Sequence, residues 1–119
     1  MVGSLIRWRS EITSILDERF YPLWWVESEI AAGRIDLLQN DKAIIGIQVR
    51  TYPGGARELH GMFACGDKHA IRDLVLQALD LGRLAGCDVA AIESRPGWAR
   101  ELKDMGFATD RVRIVKGFD

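Results

Sequence analysis

The chain has 119 residues, 48% of them hydrophobic and 28% charged, with a formal net charge of -1 at pH 7. This length and composition fit one ordinary soluble globular domain over residues 1–119. The charge gives no electrostatic reason to expect nucleic acid or a membrane as a partner, and apolar runs such as residues 43–47 are too short to cross a bilayer.

Two amphipathic helices are predicted first. Apolar residues between Leu5 and Arg19 recur at a helical spacing, and Pro22 suits the start of a second helix that Gly33 ends. The adjacent Trp24 and Trp25 cannot both face one core, so we expect one of them to be exposed.

Three strands follow, over residues 34–39, 43–51 and 58–65. The second shows strict alternation, and Pro53-Gly54-Gly55 predicts a tight turn into an antiparallel third strand. On that third strand, alternation places Leu59, Gly61, Phe63 and Cys65 on one face, and Glu58, His60, Met62 and Ala64 on the other.

The clearest helix signal covers residues 68–85, with Asp67 as its N-cap. Residues 89–92 are all apolar, which is typical of a central strand covered on both faces. Pro96 opens a short helix that ends at Gly106, and the alternation over residues 111–116 predicts a last strand. The predicted order is ααβββαβαβ, an α/β (α+β) fold with one βαβ unit.

The corner Cys65-Gly66-Asp67-Lys68-His69, between the third strand and the long helix, has two interpretations. A helix N-terminus offers free N–H groups and a positive dipole end, which together suit a phosphate. Lys68 and His69 would add positive charge. Alternatively, Asp67 is a plain N-cap whose carboxylate occupies the place of the phosphate.

Glu58 and His60 are the candidate catalytic residues. Residues two apart on a strand share a face, so this carboxylate and imidazole could meet in one pocket and act as a general base. The alternative is a strand face in which the pair has only a structural role.

Arg95 and Trp98 lie in the loop after the strand 89–92, at the end of a sheet where ligands usually bind. Arg95 could bind a phosphate or carboxylate, and Trp98 could form the floor of a pocket. The alternative is an arginine on a turn and a tryptophan in the core.

The two cysteines, Cys65 and Cys87, lack the spacing of a zinc site or of a disulfide framework. We interpret both as buried thiols of a cytoplasmic protein. No metal site, catalytic triad or P-loop is indicated.

The order of elements resembles the GNAT N-acetyltransferase family over roughly Ser10 to Phe118. More narrowly, it resembles a short, divergent branch found in phage and prophage genes, which places the protein in a bacterial cytoplasm. The segments that carry the resemblance are residues 22–33, Leu81-Gly-Arg-Leu-Ala-Gly-Cys87, Arg95-Pro-Gly-Trp-Ala-Arg100, Gly106-Phe107 and Lys116.

The resemblance implies a GNAT-like mixed sheet, mostly antiparallel with a central parallel pair, and a first family strand that is reduced or absent. It also implies an acetyl-CoA-dependent N-acetyltransferase that acts on an amine of a small molecule or a protein. Acetyl-CoA would lie between two splayed strands and contact Met62, Phe63 and Ala64, then Cys65, Gly66, Asp67, Lys68, His69 and Ala70 at its pyrophosphate, with Arg95 nearby.

This chain departs from the family pattern at three places. The corner has one glycine where the family's pyrophosphate loop has more, Leu102 occupies the position of the usual thiolate-protonating tyrosine, and Arg95 occupies that of the usual asparagine. An alternative function is therefore a non-catalytic GNAT-fold interaction or assembly protein of phage or prophage origin. An exposed strand edge would allow a homodimer.

Overall fold

A mixed sheet with helices on both faces is formed by residues 2–95 and 97–118, the parts of the chain that the computed structural model describes. Side chains are described from Arg7 onward. The elements in chain order are α1 (Val2–Ile15), α2 (Leu23–Ala31), β1 (Asp36–Gln39), β2 (Ala43–Thr51), β3 (Arg57–Gly66), α3 (Lys68–Leu84), β4 (Val89–Ile92), α4 (Gly97–Glu101) and a 3-10 helix (Lys103–Met105).

The strands are ordered β1-β2-β3-β4 across the sheet. The pairs β1–β2 and β2–β3 are antiparallel, whereas β3 and β4 are parallel and are joined by α3. The predicted βαβ unit and the mixed, mostly antiparallel sheet are thus confirmed.

Two hydrophobic cores lie on opposite faces of the sheet, because consecutive residues of a strand point to opposite sides. We call them the α1 face and the α3 face. The α1-face core contains Trp8, Ile12, Val26, Ile30, Ile35, Ile44, Met62, Phe63 and Cys65. The α3-face core contains Ala43, Ile45, Ile47, Leu59, Ala70, Ile71, Leu74 and Ala78. Burial of a side chain such as Leu74, which has no exposed surface, contributes about 2 kcal/mol.

A β-bulge in β3 corrects the predicted alternation of this strand. Gly46 of β2 faces Phe63, but the next residue, Ile47, faces Gly61, so Met62 is an extra residue. The bulge moves Phe63 to the α1 face, whereas Leu59 stays on the α3 face. The prediction that residues 59, 61, 63 and 65 share one face was therefore wrong.

The predicted last strand over residues 111–116 is not formed, so the order ααβββαβαβ lacks its final element. Alternation makes a strand only where a neighbour supplies hydrogen bonds. Here the Arg113 guanidinium instead lies 5.4 Å from the centre of the Phe20 ring. As a result β4 is an edge strand rather than a central one, and Val89 is 52% exposed.

The pair Trp24 and Trp25 divides as expected. Trp25 packs against the α1-face core and lies 5.4 Å from Tyr21 between ring centres, whereas Trp24 is 69% exposed. Neighbouring residues of an α-helix point about 100° apart, so only one of these two side chains can reach the core.

Gly66 makes the turn from β3 into α3 possible. Its φ angle is +117°, a conformation that other residues rarely adopt, and a Cβ atom at this position would overlap the carbonyl oxygen of Lys42. The same carbonyl accepts a hydrogen bond from the Asp67 backbone N–H at 3.0 Å. This contact holds the start of α3 close to β2.

We expect Gly66→Ala to lower the free energy of unfolding by about 1–3 kcal/mol, because the new methyl group adds a steric overlap to a strained φ angle. Denaturant unfolding would measure the loss. Gly54→Ala is the matched control, since a Cβ there meets no atom within 4 Å. Equal stability of the two variants would contradict the assigned role of Gly66.

Candidate active site

A cleft opens where β3 and β4 separate. Residues 58–61 of β3 pair with residues 89–92 of β4, and the two strands part beyond the Gly61–Ile92 pair. β3 continues for five more residues to Gly66, but β4 ends and the chain turns toward α4. The backbone of residues 62–66 therefore has no strand partner on the side toward β4.

The cleft encloses a cavity of about 360 Å³. Its walls are mostly apolar, and Glu93 and Ser94 provide polar groups. Of the residues expected at a cofactor site, Met62, Phe63, Ala64 and Arg95 line the cavity, and so does Trp98, the expected pocket floor. Leu102, at the position of the family's usual tyrosine, also lines it. Sequence reasoning missed other walls, among them these side chains from α1, β2, α3, β4 and the segment after the 3-10 helix: Ile15, Ile45, Ile71, Val75, Ala78, Ile92 and Phe107.

Glu58 and His60 form a buried pair next to this cleft. They point to the α1 face, opposite Leu59, and their exposed fractions are only 8% and 6%. His60 Nδ1 lies 3.0 Å from Glu58 Oε2, so the predicted meeting of the two side chains is observed. His60 faces Ala91 in the strand register, one pair before the strands part. The pair is next to the cavity rather than among its lining residues.

Sequence reasoning missed the hydrogen bond from Tyr52 to this pair. The Tyr52 hydroxyl donates to Glu58 Oε1 at 3.0 Å, across the hairpin that joins β2 and β3. Nearby, Arg50 faces Glu58 in the register and donates to Gln48 Oε1 at 2.9 Å. The hairpin register is the signal that could have found Tyr52, because residues 50 and 52 share the face of residue 58.

The pKa of His60 lies below its usual value. Burial is the main cause, and the positive charge of Arg50 adds to it, while the hydrogen bond to Glu58 and the charge of Glu93 act in the opposite direction. The ring is therefore neutral at pH 7. Among the described side chains, no hydrogen bond engages Nε2, so this nitrogen keeps a free lone pair when Nδ1–H donates to Glu58.

The corner before α3 is a capped helix start. Asp67 Oδ2 accepts a hydrogen bond from the Ala70 backbone N–H at 3.0 Å, which confirms the predicted N-cap. Lys68 Nζ is 3.0 Å from Glu101. Asp67 thus already accepts a hydrogen bond from one of the backbone amides that a phosphate would use, and Lys68 is already paired with Glu101.

Three further observations concern this corner and the start of α3. Arg72 is paired with Asp104, and this hydrogen bond lowers the pKa of the carboxyl group. His69 and Arg72 line a shallow polar depression with α4. Cys65 lies in the α1-face core, where burial raises the pKa of its thiol to about 12, so it is not a nucleophile at neutral pH.

Within residues 2–95 and 97–118, no cluster of three or more His, Cys, Asp or Glu side chains is arranged to hold a metal ion. In the same part of the chain, no helix combines the length and the apolar character that crossing a membrane requires.

Solved structures with a similar fold include acetyltransferases. A probable acetyltransferase has a TM-score of 0.67 at 10% identity, covering 98% of this chain and 89% of the other. Glucosamine-6-phosphate N-acetyltransferase from Arabidopsis thaliana has a TM-score of 0.62 at 16% identity, covering 90% and 82%. An acetyltransferase from Trypanosoma brucei has 0.60 at 13% identity, covering 76% and 77%.

No protein-family model matches this chain, and no curated protein matches it in sequence. At these low identities the structural likeness shows the fold, which is the mixed α+β architecture expected from the sequence. It does not carry over a substrate or a catalytic residue.

The lowered pKa of His60 predicts how stability depends on pH. Below pH 6.5 an unfolded histidine binds a proton that the folded ring resists, so the free energy of unfolding falls as pH drops through 6.5. Denaturant unfolding between pH 7.5 and 5.5 should show a smaller fall in His60→Gln than in the unmodified chain. The exposed His69 gives the control, and His69→Gln should keep the original dependence; equal slopes in all three proteins would contradict the prediction.

Proposed function

We propose that this protein is an acetyl-CoA-dependent N-acetyltransferase that acts on an amine of a small molecule or a protein. One observation carries the proposal: an apolar cleft opens beside an unpaired strand edge, one residue pair beyond a buried Glu58–His60 pair. A base next to a cleft for the acyl donor is what amine acylation requires. The acetyltransferase fold supports the same conclusion.

The cleft fits the acyl and pantetheine part of acetyl-CoA. Those N–H and C=O groups of residues 62–66 that point toward β4 rather than β2 can bind the amides of an extended arm as an added strand would. Apolar side chains such as Val75 and Leu102 surround the position for the acyl group and exclude water. When bound, acetyl-CoA supplies a thioester whose carbonyl carbon is open to attack by an amine.

The corner fits the diphosphate of acetyl-CoA less well. The N-terminus of α3 has the favourable dipole end, but the carboxylate of Asp67 lies at the same place. Lys68 and Arg72 are paired with acidic side chains from the α4 region. The diphosphate would therefore bind with one opposing charge, and we infer that the strand edge contributes more to affinity than the corner.

His60 acts as the general base in this proposal. Its Nε2 accepts the proton of the attacking amine, and Glu58 stabilises the ring in the resulting charged form through Nδ1–H. Tyr52 is a positioning residue, since its hydroxyl orients the carboxylate of Glu58. The carboxylate of Glu93, which lines the cavity close enough to influence His60, favours a cationic acceptor. Leu102, at the position of the family's usual tyrosine, cannot donate a proton, so in this proposal CoA leaves as the thiolate.

Acetyl-CoA should stabilise the protein in a thermal-shift titration. At about a hundred times its Kd, a ligand adds roughly 2.7 kcal/mol, which for this size is a rise in Tm of about 4 °C or more. Asp67→Asn keeps a good N-cap and removes the charge, so it should strengthen acetyl-CoA binding several-fold. Acetyl-pantetheine, which lacks the diphosphate, is the control and should bind both proteins equally. No shift with either ligand would overturn the proposal and favour the non-catalytic interaction protein.

Loss of the base should reduce turnover more than binding. With a panel of amines and detection of released thiol, His60→Gln should lower kcat by roughly a hundredfold or more with a similar KM for acetyl-CoA. Tyr52→Phe should reduce kcat by about fivefold and shift the acidic limb of the pH profile, since one hydrogen bond of about 1 kcal/mol is lost. Leu84→Gln, at an exposed site on α3, is the control. An unchanged kcat in His60→Gln would exclude this residue as the base.

A further inference from the structure

Arg50 is a half-buried arginine that pairs with no carboxylate among the described residues. Its guanidinium instead donates to two neutral groups, Gln48 Oε1 at 2.9 Å and Met62 Sδ at 3.4 Å. The sulfur is only a weak acceptor, and the amide oxygen carries no net charge. Arginines elsewhere in the chain, such as Arg34 and Arg72, are paired with carboxylates. Arg50 therefore keeps N–H donors for a carboxylate or a phosphate, the groups that a guanidinium fork matches.

The side chain of Arg50 lies along the buried Glu58–His60 pair. Arg50 faces Glu58 in the strand register, and His60 is two residues further along β3 on the same face. Arg50 and His60 are thus diagonal neighbours, and such neighbours lie about 7–8 Å apart, within reach of a long side chain. The contact with Met62 gives the direction of the side chain, which runs past His60 to a residue that lines the cavity. The guanidinium therefore lies beside the proposed base at the wall of the cleft.

A charge of the opposite sign lies on the other side of His60. Glu93 follows β4 directly, and it lines the cavity. Burial is the main cause of the lowered pKa of His60; Arg50 lowers this pKa further, and Glu93 acts in the opposite direction. Because β3 lies between β2 and β4, the imidazole has a cation toward one neighbouring strand and an anion toward the other. The surroundings of the base therefore have two poles.

We propose that the acceptor is a small zwitterionic amine, an amino carboxylate or an amino phosphate, whose anionic group binds Arg50 while its nitrogen lies at His60 Nε2. The guanidinium can hold either anionic group through two parallel hydrogen bonds. Since Arg50 and His60 are diagonal neighbours, only a few bonds can separate the nitrogen from the anionic group. The inference rests on the proposed function for the role of His60, and it adds the chemical class of the acceptor.

The charges of such an acceptor fit the transfer itself. Its ammonium group is attracted toward Glu93 and first gives one proton to solvent. The free amine then forms the C–N bond with the thioester carbon, passes a second proton to His60 Nε2 and displaces CoA as the thiolate, so that the C–S bond breaks. The amide product keeps its anionic group but has lost the positive charge. Its attraction to Glu93 is lost with that charge, which favours release of the product.

Matched pairs of acceptors test the need for an anionic group: β-alanine against its amide, and phosphoethanolamine against ethanolamine. The anionic member of one pair should have the higher kcat/KM in the thiol-release assay, and that pair tells carboxylate from phosphate. Arg50→Gln should reduce this preference by about tenfold or more, since a charged hydrogen bond is lost. The neutral amines report on folding and on the base in the same variant. Arg57→Gln, at an exposed arginine on the opposite face of β3, is the control and should keep the preference. An equal preference in both variants would overturn the proposal.

Binding of the anionic group can also be measured without turnover. In NMR spectra of the isotopically labelled protein, the Nε–H signal of Arg50, identified by its loss in Arg50→Gln, should shift with β-alanine or phosphoethanolamine and not with their neutral partners. A shift without any acetyl transfer would retain the anion site and reject the proposed function. Acetylation of charged and neutral amines alike, with no shift, would overturn this inference and leave the proposed function standing. Neither shift nor acetylation would reject both.

Discussion

The ring of Phe63 lies against the bare backbone of Gly46, and this contact accompanies the extra residue that β3 carries relative to β2. Any side chain at position 46 would overlap the ring. Bulges bend and twist a strand, and β3 parts from β4 at this point. The cleft, the unpaired edge of residues 62–66 and the placing of Phe63 on the α1 face all follow from this one irregularity.

The buried Glu58–His60 pair shows how the sheet carries ionisable groups next to the cleft. Burial of such groups is unfavourable unless they are paired and hydrogen-bonded. Here both oxygens of Glu58 have partners, one in Tyr52 and one in His60. A carboxylate held by two hydrogen bonds is fixed in position, and it holds the imidazole through Nδ1 while Nε2 stays free. The contacts that stabilise the buried carboxylate therefore also orient the imidazole.

Charge at the start of α3 is balanced within the protein itself. The acidic residues Glu101 and Asp104 approach Lys68 and Arg72 from the α4 region, and Asp67 caps the helix. Such exposed pairs contribute little to stability, about 0–1 kcal/mol each. Their larger effect is electrostatic, because they reduce the positive potential that a helix N-terminus with two basic side chains would otherwise present to an anion. The chain thus combines a mixed α+β fold with a helix start whose charges are largely balanced by its own side chains.

Local patterns in the sequence determined most of the elements. The periodicity of residues 68–84, the Asp67 cap and the turn at residues 53–55 depend on neighbours along the chain, so α3 and the β2–β3 hairpin could be predicted. The pairing of Glu58 with His60 followed from their spacing of two on a strand. Only the tertiary structure decided the bulge at Met62, because it depends on a close approach of Gly46 in another strand.

The walls of the cavity and the C-terminal segment depended on tertiary structure in the same way. The cavity gathers residues from α1, β2, α3 and β4, which no local pattern brings together. Residues 111–116 have the alternation of a strand, but a strand forms only when another strand edge supplies its hydrogen bonds. In the part of the chain that the structure describes, this segment pairs with no strand. Propensity is a property of the sequence, whereas hydrogen-bond partners are a property of the fold.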